Sequence, residues 1–297
     1  MIFFKAFEKF DDYIQKIMND PRMKELSETY EEANFEDAHG EEFATDWITN
    51  WAYTDNVENR WIILLGEYGT GKTCLTEVLQ YRLICRYHEH PEGKLPMRIS
   101  LRDFSRQFDA RTLLHHFLDH NSLGHIPIEF VFTLIREQRI ILLLDGYDEM
   151  AQFMNPRERR ACLKSLADLS VDGARGILTS RPNYFTQDEE LRVFESLYSA
   201  LSQRTFYVGE RDKRYIEEEK AIDSLIEEHI LNRYERILRD LTVEQTENLI
   251  RRKLEGDARG QRLILNILQR TLRNSKSNDG GRSLSGKPVI IAYLLVD

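Results

Sequence analysis

The run Gly66-Glu67-Tyr68-Gly69-Thr70-Gly71-Lys72-Thr73 has the spacing G-x-x-x-x-G-K-[ST] of a loop that cradles phosphate. Its glycines let the backbone wrap so that successive N–H groups converge on phosphate oxygens, and a following helix N-terminus adds its positive field. Lys72 is placed to reach the β- and γ-phosphates, the Thr73 hydroxyl to ligate Mg²⁺, and Cys74 follows directly. A second group stands at Asp145-Gly146-Tyr147-Asp148-Glu149, after the apolar run Ile140–Leu144. Asp145 could hold the metal directly or through water; Asp148 and Glu149 are candidates to orient or deprotonate an attacking water. A third is Ser180-Arg181-Pro182, where Arg181 could act as a fixed cation on the γ-phosphate. Taken singly, each has a plainer reading: a glycine-rich turn, a solvated acidic turn, a surface arginine at a strand end.

The elements needed to position these groups are legible around them. Trp61–Leu65 reads as a buried strand before the loop, and apolar residues at 75, 78, 79 and 83 predict a helix after it. From Trp61 to about Tyr207 strands and helices alternate, the pattern of a doubly wound parallel sheet. Further strands are expected at Met97–Leu101, Ile140–Leu144, Gly176–Thr179 and Thr205–Val208, which sets ligand groups at their carboxyl ends. Asn155-Pro156-Arg157-Glu158 and Thr242-Val243-Glu244-Gln245 carry helix-start signals. Residues 1–60 read as helices. Phe3, Phe7, Phe10, Ile14 and Ile17 form one stripe on a helix ending near Asp20-Pro21, a core face before it is a partner-binding one. Trp47 and Trp51 share a face of a later helix. Beyond Asp212 the chain reads as helical, with a Ser-, Asn-, Gly- and Lys-rich mobile stretch at 274–285. The expected division is 1–58 (N-terminal helices), 59–210 (phosphate-loop domain) and 211–297 (helical subdomain).

Composition narrows the classes. A 297-residue chain with 41% hydrophobic and 31% charged residues buries a full core. Its net charge of −9 argues against sequence-independent nucleic-acid binding. Three cysteines without metal spacing fit a reducing, cytoplasmic setting. No apolar run is long enough to span a membrane. His115, His116, His120 and His125 read as plain helix and loop histidines, since no cysteine or carboxylate pair completes a metal site. The last segment, Ile291–Asp297, is apolar with no cap or polar tail, which points to a truncated chain or a missing C-terminal part.

In this order, the three motifs, with Met97–Phe104 in the second-strand position, resemble the NACHT family of STAND P-loop NTPases. The acidic signature D-G-x-D-E is the most specific element. The resemblance implies a three-layer P-loop sandwich with a central parallel sheet, in which the Arg181 strand lies between the Gly66 and Asp145 strands. It implies that Pro288 of Gly286-Lys287-Pro288 packs against adenine, and that the site residues are Gly66 through Cys74, Asp145, Asp148, Glu149 and Arg181. Family members hold ADP at rest, exchange to ATP, self-associate and signal through an effector or sensor partner, often in immune or antiviral defence. A winged helix and repeat-built sensor, usual in full-length members, are missing from this sequence. AAA+ relatives carry Glu directly after the metal-binding Asp; Gly146 stands there instead, so slow Mg-dependent hydrolysis of ATP is expected. Rival expectations are an actively turning over AAA+-like remodelling ATPase and a nucleotide-bound interaction scaffold. A P-loop kinase lacks its Arg-rich lid and a GTPase its N-K-x-D motif.

Overall fold

In chain order the strands are β1 (Asn34–Asp37), β2 (Gly40–Phe43), β3 (Trp61–Leu65), β4 (Leu95–Ser100), β5 (Ile140–Asp145), β6 (Arg175–Ser180) and β7 (Glu235–Leu238). The computed structural model describes residues 8–37, 40–54, 61–91, 93–103, 109–155, 158, 162, 174–181, 235–275 and 286–296. Its seven strands form one sheet in the order β2-β1-β7-β3-β6-β5-β4. The run from β7 to β4 is parallel throughout, while β1 pairs antiparallel with both β2 and β7. All residues of β3, β5 and β6 are buried, as strands covered on both faces require. The strand carrying Arg181 at its end lies between the Gly66 and Asp145 strands, as the resemblance implies.

Alternation along the strands divides the interior into two cores. Trp61, Ile63, Leu65, Leu142 and Leu144 face one, with Phe10, Tyr13, Leu114 and Phe117 packed on them. Phe10 ends a 3₁₀ turn (Glu8–Phe10), Tyr13 lies on α1 (Asp11–Met18), and Leu114 and Phe117 lie on α5 (Ala110–His120), while α2 (Pro21–Thr29) follows α1. Ile62, Leu64, Ile141, Leu143 and Ile177 face the other core, covered by α3 (Ala44–Tyr53) and α4 (Lys72–Glu89). The remaining described helices are α6 (Ile128–Arg136), α7 (Tyr147–Ala151), α8 (Val243–Lys253), α9 (Ala258–Ser275) and α10 (Pro288–Val296). Ile250, Ile264, Leu268 and Ile291 bring α8, α9 and α10 into the second core.

The N-terminal stripe is a core face: Phe10 and Ile14 are buried, and Tyr13 donates its hydroxyl to the Pro96 carbonyl at 3.0 Å. Phe3 and Phe7 lie outside the described residues. Asp20-Pro21 does more than end a helix; Asp20 caps α2, accepting from the N–H groups of Arg22 and Met23. Trp51 is buried and Trp47 meets Phe35 edge to face, so the face they share is a packing face.

Three expectations are corrected. Residues 1–60 are not all helical: the acidic stretch contains the β1–β2 hairpin, which joins the sheet through β7. Nor is the chain wholly helical beyond Asp212, because Glu235–Leu238 is inserted between β1 and β3. The second-strand segment runs Leu95–Ser100, with Leu101 opening a 3₁₀ turn. Thr205–Val208 and 276–285 lie outside the described residues, whereas Asn274 and Ser275 belong to α9. Reciprocal bonds between Asn155 and Glu158, and between Thr242 and Gln245, close the two expected capping boxes. Among the described residues no helix is long and apolar enough to cross a membrane.

Arg175 ties the N-terminal region to the sheet. Although only 1% exposed, it donates Nη1 to the carbonyls of Trp51, Ala52 and Thr54 at 2.8–2.9 Å. Those carbonyls end α3, where helix acceptors lack partners and a positive charge is favourable. Replacing Arg175→Met should therefore lower stability by about 3 kcal/mol, because several buried acceptors lose their donor at once. A urea midpoint unchanged from the parent would show that the cap carries no weight.

Candidate nucleotide-binding site

The loop after β3 is held from beneath by Gly66, whose N–H donates to the Ser180 carbonyl at 3.1 Å. Thr70 bonds back to the Glu67 carbonyl through both its N–H and its hydroxyl. Gly69 and Gly71 have φ of +82° and +92°, the left-handed region that glycine adopts without strain. α4 then starts at Lys72. Lys72 Nζ curls into the loop and donates to the carbonyls of Gly66 at 2.6 Å and Glu67 at 3.2 Å. Burial lowers its pKa, with nearby Asp148 acting in the opposite sense. A lysine that donates to backbone carbonyls of a partly buried loop is well suited to an anion there.

Asp145, 5% exposed, stands at the end of β5. Its Oδ1 accepts from the Thr179 hydroxyl at 2.8 Å, and its Oδ2 accepts from Arg98 Nη2 at 2.7 Å. Thr179 in turn accepts from the Gly146 N–H at 2.9 Å, and Gly146 at φ +86° turns the chain into α7. Asp148 points inward and pairs with Arg181 Nε at 2.8 Å; the Arg181 guanidinium lies 5.3 Å from the Tyr68 ring centroid. Glu149 is 39% exposed and 3.9 Å from Arg102. A cavity of about 370 Å³ has Thr73, Asp145, Gly146, Glu149, Arg98 and Glu77 among its lining residues. The donor set Thr73 and Asp145 is all oxygen, which suits Mg²⁺.

The C-terminal segment closes the loop from the other side. Lys287 Nζ donates to the Tyr68 carbonyl at 2.9 Å, and the Val289 N–H donates to that of Gly69 at 3.4 Å. Pro288 lies over Gly71, where an added Cβ would sit 3.5 Å from its Cγ. An apolar pocket of about 130 Å³ opens beside Gly71 and Cys74, with Tyr30, Leu241, Pro288 and Ile291 among its walls. Burial raises the Cys74 thiol pKa.

The structure thus brings the residues 66–74, Asp145, Asp148, Glu149, Arg181 and Pro288 to one sheet edge. It separates the two acidic candidates: Asp148 is engaged with Arg181, while Glu149 faces the cavity. Sequence reasoning passed over Arg98, Thr179, Thr76 and Lys287. The signal for Arg98 was a lone charge between Met97 and Ile99, readable only once Ser100 is known to pair with Asp145. His116 and His120 stack at 6.3 Å, and both line the larger cavity.

Comparison with known proteins places residues 60–207 against the model of the NACHT domain. An uncharacterized WD repeat-containing protein of Nostoc sp. is 29% identical over 206 residues, 67% of this chain. The match spans 13% of that protein's length. Among solved structures, the Aeropyrum pernix ORC2 protein in ADPNP-ADP complexes superposes with a TM-score of 0.31 at 13% identity, covering 95% of this chain and 71% of that one. C. elegans PCH-2 gives 0.28 at 15% identity, covering 85% and 67%. TM-scores this low leave the description of the site to the geometry above.

Gly69 is the tightest point of the closure, since a Cβ there would lie 2.3 Å from Val289 Cγ1. Gly69→Ala should destabilise by about 2 kcal/mol through strain and clash together. Adding Val289→Ala removes the clash and should return about 1 kcal/mol, read as a coupling energy in a thermal double-mutant cycle. Additive losses would mean that the two positions do not touch.

Proposed function

Residues 60–207 of this chain are a NACHT domain, and from that premise we propose that the protein is an ATP/ADP-controlled switch with slow Mg-dependent hydrolysis. The observation that carries the reading is the seating of Lys287 and Val289 on the backbone of the phosphate loop. Whatever occupies the loop bears directly on α10, so occupancy becomes a position of the helical part. In this reading the apolar pocket bounded by Tyr30, Leu241 and Pro288 takes adenine, and the N–H groups of 66–74 with Lys72 take the phosphates. Thr73 and Asp145 hold Mg²⁺, which supplies charge neutralisation at the β- and γ-oxygens. Glu149 orients water from the cavity side. Arg181 leaves Asp148 to meet a γ-phosphate, so its pairing here corresponds to a resting arrangement.

The organisation that goes with this reading is a nucleotide core at 59–210 flanked by N-terminal and C-terminal helical parts, each of which also lends strands to the sheet. ATP-driven self-association, signalling to an effector or sensor partner, and a defence role in the cytoplasm are carried over from the family. The Nostoc relative is named as a WD repeat-containing protein, which is in keeping with a repeat-built partner region. The observation that favours the rival turnover enzyme is Glu149, a carboxylate open to the cavity that also reaches Thr73 and Asp145.

Denaturing the purified protein and identifying released nucleotide by chromatography tests the switch: ADP should be released, and Lys72→Ala should release none. An empty site with steady turnover well above roughly one per minute would support the remodelling ATPase instead. Glu149→Gln should slow hydrolysis at least about tenfold while leaving ADP binding intact. Unchanged single-turnover hydrolysis would remove Glu149 from the water-orienting role.

A further inference from the structure

Asp145, the carboxylate assigned above to Mg²⁺, has both oxygens already taken, one by the Thr179 hydroxyl and one by Arg98. We propose that Arg98 is a resident competitor for the divalent cation, a positioning residue that holds Asp145 until metal displaces it; this rests on the nucleotide-site reading above. The pair is shielded from solvent, with side chains 16% and 6% exposed, so it is screened far less than a surface pair. Arg98 is also anchored elsewhere. Its Nε donates to the Thr76 hydroxyl at 2.9 Å, which donates to the carbonyl of Thr73, the residue whose own hydroxyl would ligate the metal.

A displaced Arg98 has a place to go. Its Nη1 is already 4.0 Å from Glu77, and both residues line the cavity of about 370 Å³ next to Asp145. A dication therefore takes the carboxylate while the guanidinium stays paired, which avoids the cost of stranding a buried charge. Glu77 is at present bridged by Arg22 of α2 at 2.8 and 3.2 Å. Arg98 arriving there competes with Arg22, so metal occupancy loosens the tie between α2 and α4.

The experiment uses Mn²⁺ as probe on the whole chain, with free Mn²⁺ counted by electron paramagnetic resonance without nucleotide and with ADP. Arg98→Gln should bind Mn²⁺ about tenfold more tightly than the parent, because a cation has left the metal's carboxylate. Thr76→Val, nearly isosteric and neutral in charge, should tighten it about threefold by freeing the anchor of Arg98. Glu77→Gln should weaken binding severalfold alone and have no effect in the Arg98→Gln background, since its action runs through Arg98. Weaker Mn²⁺ binding in Arg98→Gln, or an unchanged affinity in Thr76→Val, would overturn the proposal, as would additivity of the Arg98 and Glu77 effects. Failure of ADP to bind the parent would count against the nucleotide reading, while the nucleotide-free titrations would still judge Arg98.

Discussion

A carboxylate buried at the end of a fully buried strand is the constraint around which the site is built. An uncompensated charge at Asp145 would cost several kcal/mol, and every neighbour answers it. β6 contributes the Thr179 hydroxyl, β4 contributes Arg98, and the Gly146 N–H locks Thr179 in the orientation that donates to Asp145. These groups meet because parallel register sets Ser100 beside Asp145 and Leu178 beside Leu144. Shift any of the three strands by one residue and the hydroxyl or the guanidinium turns to the other face. The order β6-β5-β4 is therefore an electrostatic arrangement as much as a packing one.

The phosphate loop depends on a different economy, that of space. Gly69 and Gly71 serve twice: they take a left-handed backbone, and they leave room for Val289 and Pro288 to lie against the loop. A side chain at Gly69 would drive the loop from Val289, whereas a Cβ at Gly71 would only touch Pro288, so there the left-handed backbone is what calls for glycine. The same segment is pinned by Gly286, whose carbonyl accepts from the Leu241 N–H, so the loop, the start of α8 and the start of α10 share one small contact region.

How much of this could be read from the sequence follows from the range of the interactions. The phosphate loop and its flanking strand and helix were legible because all of their determinants lie within a short stretch, Trp61 to Leu83. Asp145 and Arg181 were legible as strand ends. The β1–β2 hairpin was not, since Asn34–Asp37 and Gly40–Phe43 carry neither clear alternation nor β-branched residues. Their strand character comes from β7, and that of β7 from β3. Glu235–Leu238 likewise offered only Ile237 and Leu238, of which just the second is buried. Arg98 was visible as an odd charge, but its partner lies on another strand, and no local pattern encodes that distance. The pairing of Asp148 with Arg181 was hidden for the same reason, leaving Asp148 and Glu149 equivalent on paper when their surroundings differ.

The insertion of β7 between β3 and β1 has a consequence for how the chain is made. β1 and β2 leave the ribosome early, yet the edge they need is supplied only when residues 235–238 have been synthesised. Until then the hairpin is an isolated two-stranded ribbon, which is marginal in water. The matching flank of β3 stays open over the same interval, an unpaired strand edge of the kind that templates aggregation. On that side the sheet cannot close until residues 235–238 have been made, so the hairpin and the open flank of β3 must wait, unpaired, through the synthesis of everything between them.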